Sequence, residues 1–366
     1  MDKGKTIEDI DQNFRAQEVN SRKYHFLGIA EKPLELDGFA WLGEEKEFCR
    51  LPARMISKES PLNDGAKTLS WCSSGAVVRF KTNSQSIALK AELRGNGIMG
   101  HMPLSGMSGF DLYLKTGRGL TFCKNIRPTS AKPGFVEGVF SESLGAEMRE
   151  CAIYLPLYNG IKTVEVGFAP GAEVQSPGPL KYPDPVLFYG SSITQGGCAS
   201  RPGNAYTHFL TRWLDANMIN LGFSGSGRGE IVMAECIASL RLSAFVMDYD
   251  HNAPNPGHLG DTHEIFFNAI RRKQPELPIV ILSKCDFENG DPEINSKRRE
   301  IIRRTYSNAV KAGDRNVYFI DGETLFGKTD RDACTVDGCH PNDIGFLRMA
   351  ETILPVLKKA LKAPSN

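Results

Sequence analysis

Residues 186–197 read VLFYGSSITQGG. Val186, Leu187, Phe188 and Tyr189 form an apolar run with no helical period, and the run breaks at Gly190 into two serines and, shortly after, a glycine pair. A strand buried on both faces of a parallel sheet reads this way as it enters a turn. In α/β sheets the ligand crevice lies just beyond the carboxyl ends of the strands, so Ser192, at the break, is a candidate reacting group. The same two serines would also cap a following helix, and the stretch alone does not choose between the two roles.

Toward the C-terminus the pattern repeats. Apolar strands at Val186–Tyr189, Met218–Leu221, Ala244–Asp248, Pro278–Ser283 and Asn316–Ile320 alternate with helical periodicity at Ala205–Ala216, Glu230–Leu240, His263–Lys273, Pro292–Ala312 and Asp343–Lys359. Five strands alternating with amphipathic helices predict a doubly wound α/β fold, a five-stranded parallel sheet covered on both faces. The strand ends then carry Ser192, the glycine-rich FSGSGRG, the polar DYDHNAP and a loop with Asp337 and His340. All of these loops emerge at one edge of a parallel sheet.

Toward the N-terminus the period falls to two. Ile87, Leu89, Ala91 and Leu93 share a face, as do Phe110, Leu112 and Leu114, and Val164, Val166 and Phe168. Such alternation, with turn-forming clusters between the runs, predicts an all-β sandwich, jelly-roll-like in character. Between Ala169 and Pro185 five prolines mark a stiff extended connection that should exclude helix and central strand. The expected domains are residues 1–180 and 181–366. Trp71, Tyr113, Tyr154 and Tyr158 read as packing in preference to a sugar-stacking surface, and His101, in a glycine-rich loop, reads as loop. The basic run KRREIIRR at 297–304 reads as a solvated helix face.

Composition limits the function classes. The 366 residues hold 44 basic and 43 acidic side chains, so no net field favours nucleic acid or an acidic membrane. No run reaches the roughly 18 apolar residues of a membrane span. The polar N-terminal stretch lacks the apolar core of a signal peptide, and nine scattered cysteines fit reduced thiols, so the expected location is the cytoplasm. The expected partner is a small-molecule or glycan ester, with no nucleic acid.

The converging loops offer what covalent ester hydrolysis needs: a nucleophile, a base, a group that orients the base, and oxyanion donors. Ser192 would attack, His340 would shuttle the proton, and Asp337, three residues earlier, would fix the imidazole tautomer. The backbone N–H groups of Ser192 and Gly225 and the side-chain amide of Asn252 would form the oxyanion hole. Ser191, Gln195, Arg201, Asn204 and Asp286 are candidate substrate contacts by strand-end position alone.

These blocks resemble the SGNH hydrolases, the GDSL-type esterases and lipases. GSSIT at 190–194 resembles the nucleophile block, NLGFSGSG at 220–227 the glycine block, HN at 251–252 the asparagine block and DGCHP at 337–341 the Asp-x-x-His block. Two departures mark a divergent branch: Ser191 stands where the family usually has an acidic residue, and Asp250-His251-Asn252-Ala253 where Gly-x-Asn-Asp is usual. GFDLY at 109–113 and YLPLYNG at 154–160 resemble the N-terminal β domain fused to some members. The resemblance implies a flavodoxin-like hydrolase domain, a serine esterase using no cofactor or metal, and short acyl esters, acetyl among them, on a sugar. A carbohydrate-binding protein without turnover and a thioesterase or lysophospholipase are the alternatives.

Two other readings are weaker. FSGSGRGE places Glu230 where a dinucleotide loop needs glycine. The acids and histidines at Asp248, Asp250, His251, His258, Asp261 and His263 match no familiar zinc spacing, and Cys334, Cys339 and His340 sit in or just before an Asp-x-x-His-Pro loop ahead of the closing helix, which fits the triad better than a ligand set.

Overall fold

The computed structural model describes residues 10, 19–20, 23–129 and 132–361. Most of the N-terminal stretch read for a targeting signal lies outside the described residues. Among them, no helix is long and apolar enough to cross a membrane.

The first part is a two-sheet antiparallel sandwich. One sheet runs β1 (His25–Gly28), β9 (Ile161–Phe168), β4 (Ile87–Leu93), β7 (Phe135–Ser141). The other runs β10 (Val174–Gln175), β3 (Val77–Thr82), β8 (Arg149–Tyr154), β5 (Phe110–Thr116), β6 (Gly119–Ile126), with β2 (Glu35–Asp37) beside β3. The alternating residues do what their period demands: Ile87, Leu89, Ala91, Leu93, Phe110, Leu112, Val164, Val166 and Phe168 all lie in one buried core between the sheets.

The second part is a five-stranded parallel sheet in the order β12 (Ala216–Gly222), β11 (Tyr182–Gly190), β13 (Ala244–Asp248), β14 (Ile279–Leu282), β15 (Val317–Ile320). On one face it is covered by the helices Ile231–Ala238, Pro256–Lys273 and Pro292–Lys311, on the other by Tyr206–Leu214 and Asp343–Ala360, so both faces are dry. Strand β11, between β12 and β13, is the first of the five in sequence. The chain reverses its direction of travel across the sheet there, which leaves a crevice at its carboxyl end.

Four expectations need correction. The proline-rich connection does contain part of an interior strand, since β11 begins at Tyr182, whereas Val174–Gln175 only adds a short edge strand beside β3. Pro183 and Pro185 are tolerated because that end of β11 pairs with β12 through a register irregularity, and pairing with β13 starts only at Val186. The third helix starts at Pro256 and not at His263, since Asn255 caps it by accepting from the His258 N–H and proline suits a first helical position. The basic run at 297–304 is not all solvated: Arg298 is buried, and its Nε bonds the carboxylate of buried Asp250 at 2.9 Å. An unpaired buried carboxylate would be far costlier than the ordering of one arginine. Finally, residues between β2 and β3 do not stay with the sandwich, because Trp41, Leu51, Met55, Leu62 and Ala66 pack into a core cluster of the parallel sheet.

The GFDLY motif explains how the two parts are joined. Phe110 and Leu112 point into the sandwich, and Asp111 and Tyr113 point away from it toward the second part. Asp111 is fully buried and accepts from the Gly203 N–H at 2.8 Å, from Asn125 Nδ2 at 2.8 Å and from Arg201 at 3.2 Å. Burial raises its carboxyl above the ordinary value, and the Arg201 charge opposes this without cancelling it. Tyr113 packs edge-on against Tyr154 with centroids 5.0 Å apart, and Arg212 lies over the Tyr113 ring. These two tyrosines are therefore contacts between the two parts of the chain and not a sugar platform.

Candidate active site

Ser192 opens a single-turn helix, Ser192–Gln195, and Ser191 caps it by accepting from the Ile193 N–H at 3.1 Å. The turn from β11 into this helix is tight. A Cβ on Gly190 would lie 2.1 Å from Thr194 Oγ1 and 2.3 Å from the Asp248 carbonyl, so only glycine fits. Beneath the turn, Asp248 Oδ2 accepts from Thr194 Oγ1 at 3.0 Å and from the Tyr206 hydroxyl at 2.9 Å. Burial pushes this carboxyl up to about 6.

Ser192 Oγ lies 2.9 Å from His340 Nε2, and His340 Nδ1 lies 2.7 Å from Asp337 Oδ2. The loop that presents His340 is held by the same carboxylate, because Asp337 Oδ1 accepts the backbone N–H of Cys339 at 3.0 Å and of His340 at 2.7 Å. Burial acts to raise Asp337, but these N–H groups and the imidazole outweigh it and hold the carboxyl below its ordinary value. An ionised Asp337 accepts a hydrogen bond from Nδ1–H, which leaves the Nε2 lone pair facing the serine hydroxyl. Such a chain of groups can remove the hydroxyl proton and return it to a leaving alcohol.

Gly225 lies in the turn after β12 with φ of +65°, and a Cβ there would meet nothing within 4 Å. The residue therefore faces open space, with room for a substrate to approach its backbone. Asn252 Nδ2 donates to the Phe223 carbonyl at 2.8 Å, and the Phe223 N–H donates to the Gly190 carbonyl at 3.0 Å. These bonds tie the asparagine, the glycine turn and the serine turn together. A side-chain amide carries two N–H groups, so one of Asn252's remains for another acceptor.

The five strand-end candidates have other partners. Ser191 is the cap just described. Gln195 is fully buried, accepting from the Ser224 N–H at 3.0 Å and donating to the Leu157 carbonyl at 3.2 Å. Arg201 is bound to Asp111 and Tyr113, and its guanidinium stacks on Phe122 at 3.8 Å. Asn204 donates to Asp343 at 2.7 Å. Asp286 is buried against His251 Nε2, with Lys284 Nζ 3.6 Å away. Burial opposes ionisation of that carboxyl, but the His251 charge prevails and holds it well below the ordinary value. These residues support the crevice from within the protein.

Several supporting groups come from the chain before the parallel-sheet part, and the sequence marks none of them as supports of the site. The Tyr158 hydroxyl donates to the Ser192 carbonyl at 3.1 Å, and Ser74 Oγ donates to the Gln195 carbonyl at 2.6 Å. Arg50 is buried with its guanidinium on three carbonyls, those of Asn220 at 2.9 Å, Gly222 at 2.8 Å and Leu69 at 2.7 Å, and it lies 4.7 Å over the Phe223 ring. His101 is more than loop: its ring centroid lies 5.5 Å from that of His340, which puts the sandwich at the rim of the crevice. Trp71 stacks under Arg94 at 3.9 Å.

Sequence and structure comparisons agree with this architecture. Residues 183–358 match the GDSL-like lipase/acylhydrolase family, and residues 24–174 match the N-terminus of SGNH-hydrolase-type esterases named for the GxDLY motif. A protein described as a GDSL-like lipase from Bacteroides ovatus is 32% identical with a TM-score of 0.82, over 92% of this chain and 98% of that one. A salicylyl-acyltransferase from a tetracycline biosynthetic pathway shares the fold at 17% identity and TM-score 0.76, over 94% and 100% of the two chains. An acetyl xylan esterase from the rumen bacterium Butyrivibrio proteoclasticus shares it at 13% and 0.57, over 93% and 100%. No curated protein sequence matches the chain. Identity at this level over nearly the whole length of both chains, with matching sequence blocks in both halves, places the chain in the GDSL-like lipase/acylhydrolase family of SGNH hydrolases, two-domain enzymes that act on ester bonds.

Proposed function

We propose that the protein is a serine esterase for short acyl esters, with Ser192 as nucleophile, His340 as general base and acid, and Asp337 as the group that orients the imidazole. The observation that carries this reading is the pair of contacts from His340, 2.9 Å to Ser192 Oγ and 2.7 Å to Asp337 Oδ2. His340 takes the hydroxyl proton as Ser192 attacks the acyl carbon and hands it to the departing alcohol. Water then repeats the sequence on the acyl-enzyme. The N–H groups of Ser192 and Gly225 and the free N–H of Asn252 hold the oxyanion. The acyl group is acetyl and the alcohol a sugar: an acetyl xylan esterase shares the fold, and the sandwich borders the crevice at His101, where a bulky alcohol would rest.

Hydrolysis of p-nitrophenyl acetate and of acetylated xylo-oligosaccharides, by wild type beside Ser192→Ala, tests the proposal. Turnover by the wild type with background rates for the variant is expected. Equal rates would remove Ser192 from the mechanism, and a preference for long acyl chains or thioesters would refute the substrate class.

A further inference from the structure

His340 has two neighbours besides Ser192 and Asp337 that take no part in the proposed proton transfer. His101 reaches the crevice from the loop between β4 and β5, and buried Cys198 follows the Ser192 turn. One nitrogen of His101, the Cys198 sulfur and one nitrogen of His340 all lie within 4.8 Å of one another. Zinc bonds of about 2.0–2.1 Å to imidazole and about 2.3 Å to thiolate place tetrahedral ligands about 3.3–3.6 Å apart. His101 is exposed, so its side chain has room to turn toward the other two groups. His340 is also prepared as a ligand: its Nδ1 is held by Asp337, so Nε2 presents a lone pair, the carboxylate–histidine arrangement that supports metal-bound imidazoles.

We infer that His101, Cys198 and His340 form a binding site for a thiophilic divalent cation of the Zn²⁺ class, and that its occupancy shuts off hydrolysis. As the ion binds, the Cys198 thiol releases its proton to solvent and the sulfur–zinc bond forms. The Nε2 lone pair of His340 moves from the Ser192 hydroxyl to the metal, and no oxidation state changes. His340 can then accept no proton from Ser192. The ion also ties a sandwich loop to the last loop of the parallel-sheet part, across the mouth of the crevice. The inhibition rests on the reading of His340 as the base, whereas the binding does not.

A neighbouring group, His251, Asp286 and Cys339, has similar spacing but different chemistry. There the imidazole is already bonded to the carboxylate, and the Lys284 ammonium sits 3.6 Å from it, so an incoming cation would have to break one ion pair and face a second positive charge.

Zinc binding is measured on metal-stripped Ser192→Ala protein by competition with a chromophoric chelator, which keeps it independent of turnover. One bound ion is expected, weakened at least about 10-fold by adding His101→Ala or Cys198→Ser and unchanged by Cys339→Ser. In protein that retains Ser192, p-nitrophenyl acetate hydrolysis should fall in step with occupancy and recover with EDTA. The His101→Ala and Cys198→Ser variants, each scaled to its own metal-free rate, should need correspondingly more zinc. Unchanged affinity in both variants, or weakening by Cys339→Ser instead, overturns the site and leaves the proposed serine mechanism untouched. An ion held by His101 and Cys198 with hydrolysis unimpaired overturns the inhibition and counts against His340 as the base.

Discussion

At the scale of single residues, the serine turn combines ordinary local chemistry with one unusual neighbour. Ser191 caps, Ser192 reaches His340, and Asn252 uses one N–H to hold the glycine turn. Asn252→Ala removes both the proposed oxyanion donor and that tie, so kcat on p-nitrophenyl acetate should fall about 10²- to 10³-fold. An undiminished kcat would take Asn252 out of the oxyanion hole. Asp248 makes a separate, pH-dependent prediction. Its folded value near 6 lies above the ordinary 3.8, so between about pH 4 and 6 the folded state binds more proton than the unfolded state. Stability from this group is therefore present at low pH and lost as pH rises through that window. Both hydroxyl donors meet one oxygen, Oδ2, which the carbonyl of asparagine can replace. Asp248→Asn should flatten this part of the pH–stability curve and gain about 1–3 kcal/mol at pH 7. Denaturant unfolding across that pH range checks it, and a variant less stable than wild type at pH 7 would refute the account.

At the scale of elements, the loops at the carboxyl end of the parallel sheet are braced by side chains from far away in sequence. Arg50 is the strongest case. Burial lowers its guanidinium to about 10, and carbonyl oxygens at the end of β12 hold it. Those carbonyls, of Asn220 and Gly222, lead directly into the turn that carries Gly225. Arg50→Met keeps the apolar bulk and orphans the acceptors, each worth about 1–3 kcal/mol when buried. We expect kcat to drop about tenfold or more with KM little changed, and Arg50→Lys to restore part of it. A uniform loss of folded protein, with normal kinetics in what remains, would show that the arginine only stabilises.

At the scale of the whole molecule, Asp111 and Arg201 join the sandwich to the parallel-sheet part. Arg201→Ala leaves a fully buried carboxylate without its cation, a loss of about 3–5 kcal/mol. Asp111→Asn should be milder, since the Gly203 N–H keeps an acceptor. Thermal unfolding of the two variants orders these losses, and the reverse order would mean that the carboxylate is not charged in the folded protein. The same junction gives the second aspect of GFDLY its meaning: the alternate residues that are not core are docking residues.

Strand and helix periodicity, the parallel character of the second part and the convergence of the loops that carry Ser192, Asp337 and His340 on one sheet edge were legible from the sequence. Each follows from local rules, a period of two or 3.6 residues and the shared edge of parallel strands. What the tertiary structure decided concerns polar groups whose partners lie far along the chain. Arg50 reaches Asn220 and Gly222, Arg298 reaches Asp250, Tyr158 reaches Ser192, and His101 comes to rest beside His340. Gln195, Arg201 and Asp286 lie in the segments that follow β11 and β14, yet turn to protein partners. Apolar burial is non-directional and leaves a periodic trace in sequence, whereas a buried hydrogen bond depends on two atoms meeting at about 3 Å, and no spacing along the chain records that.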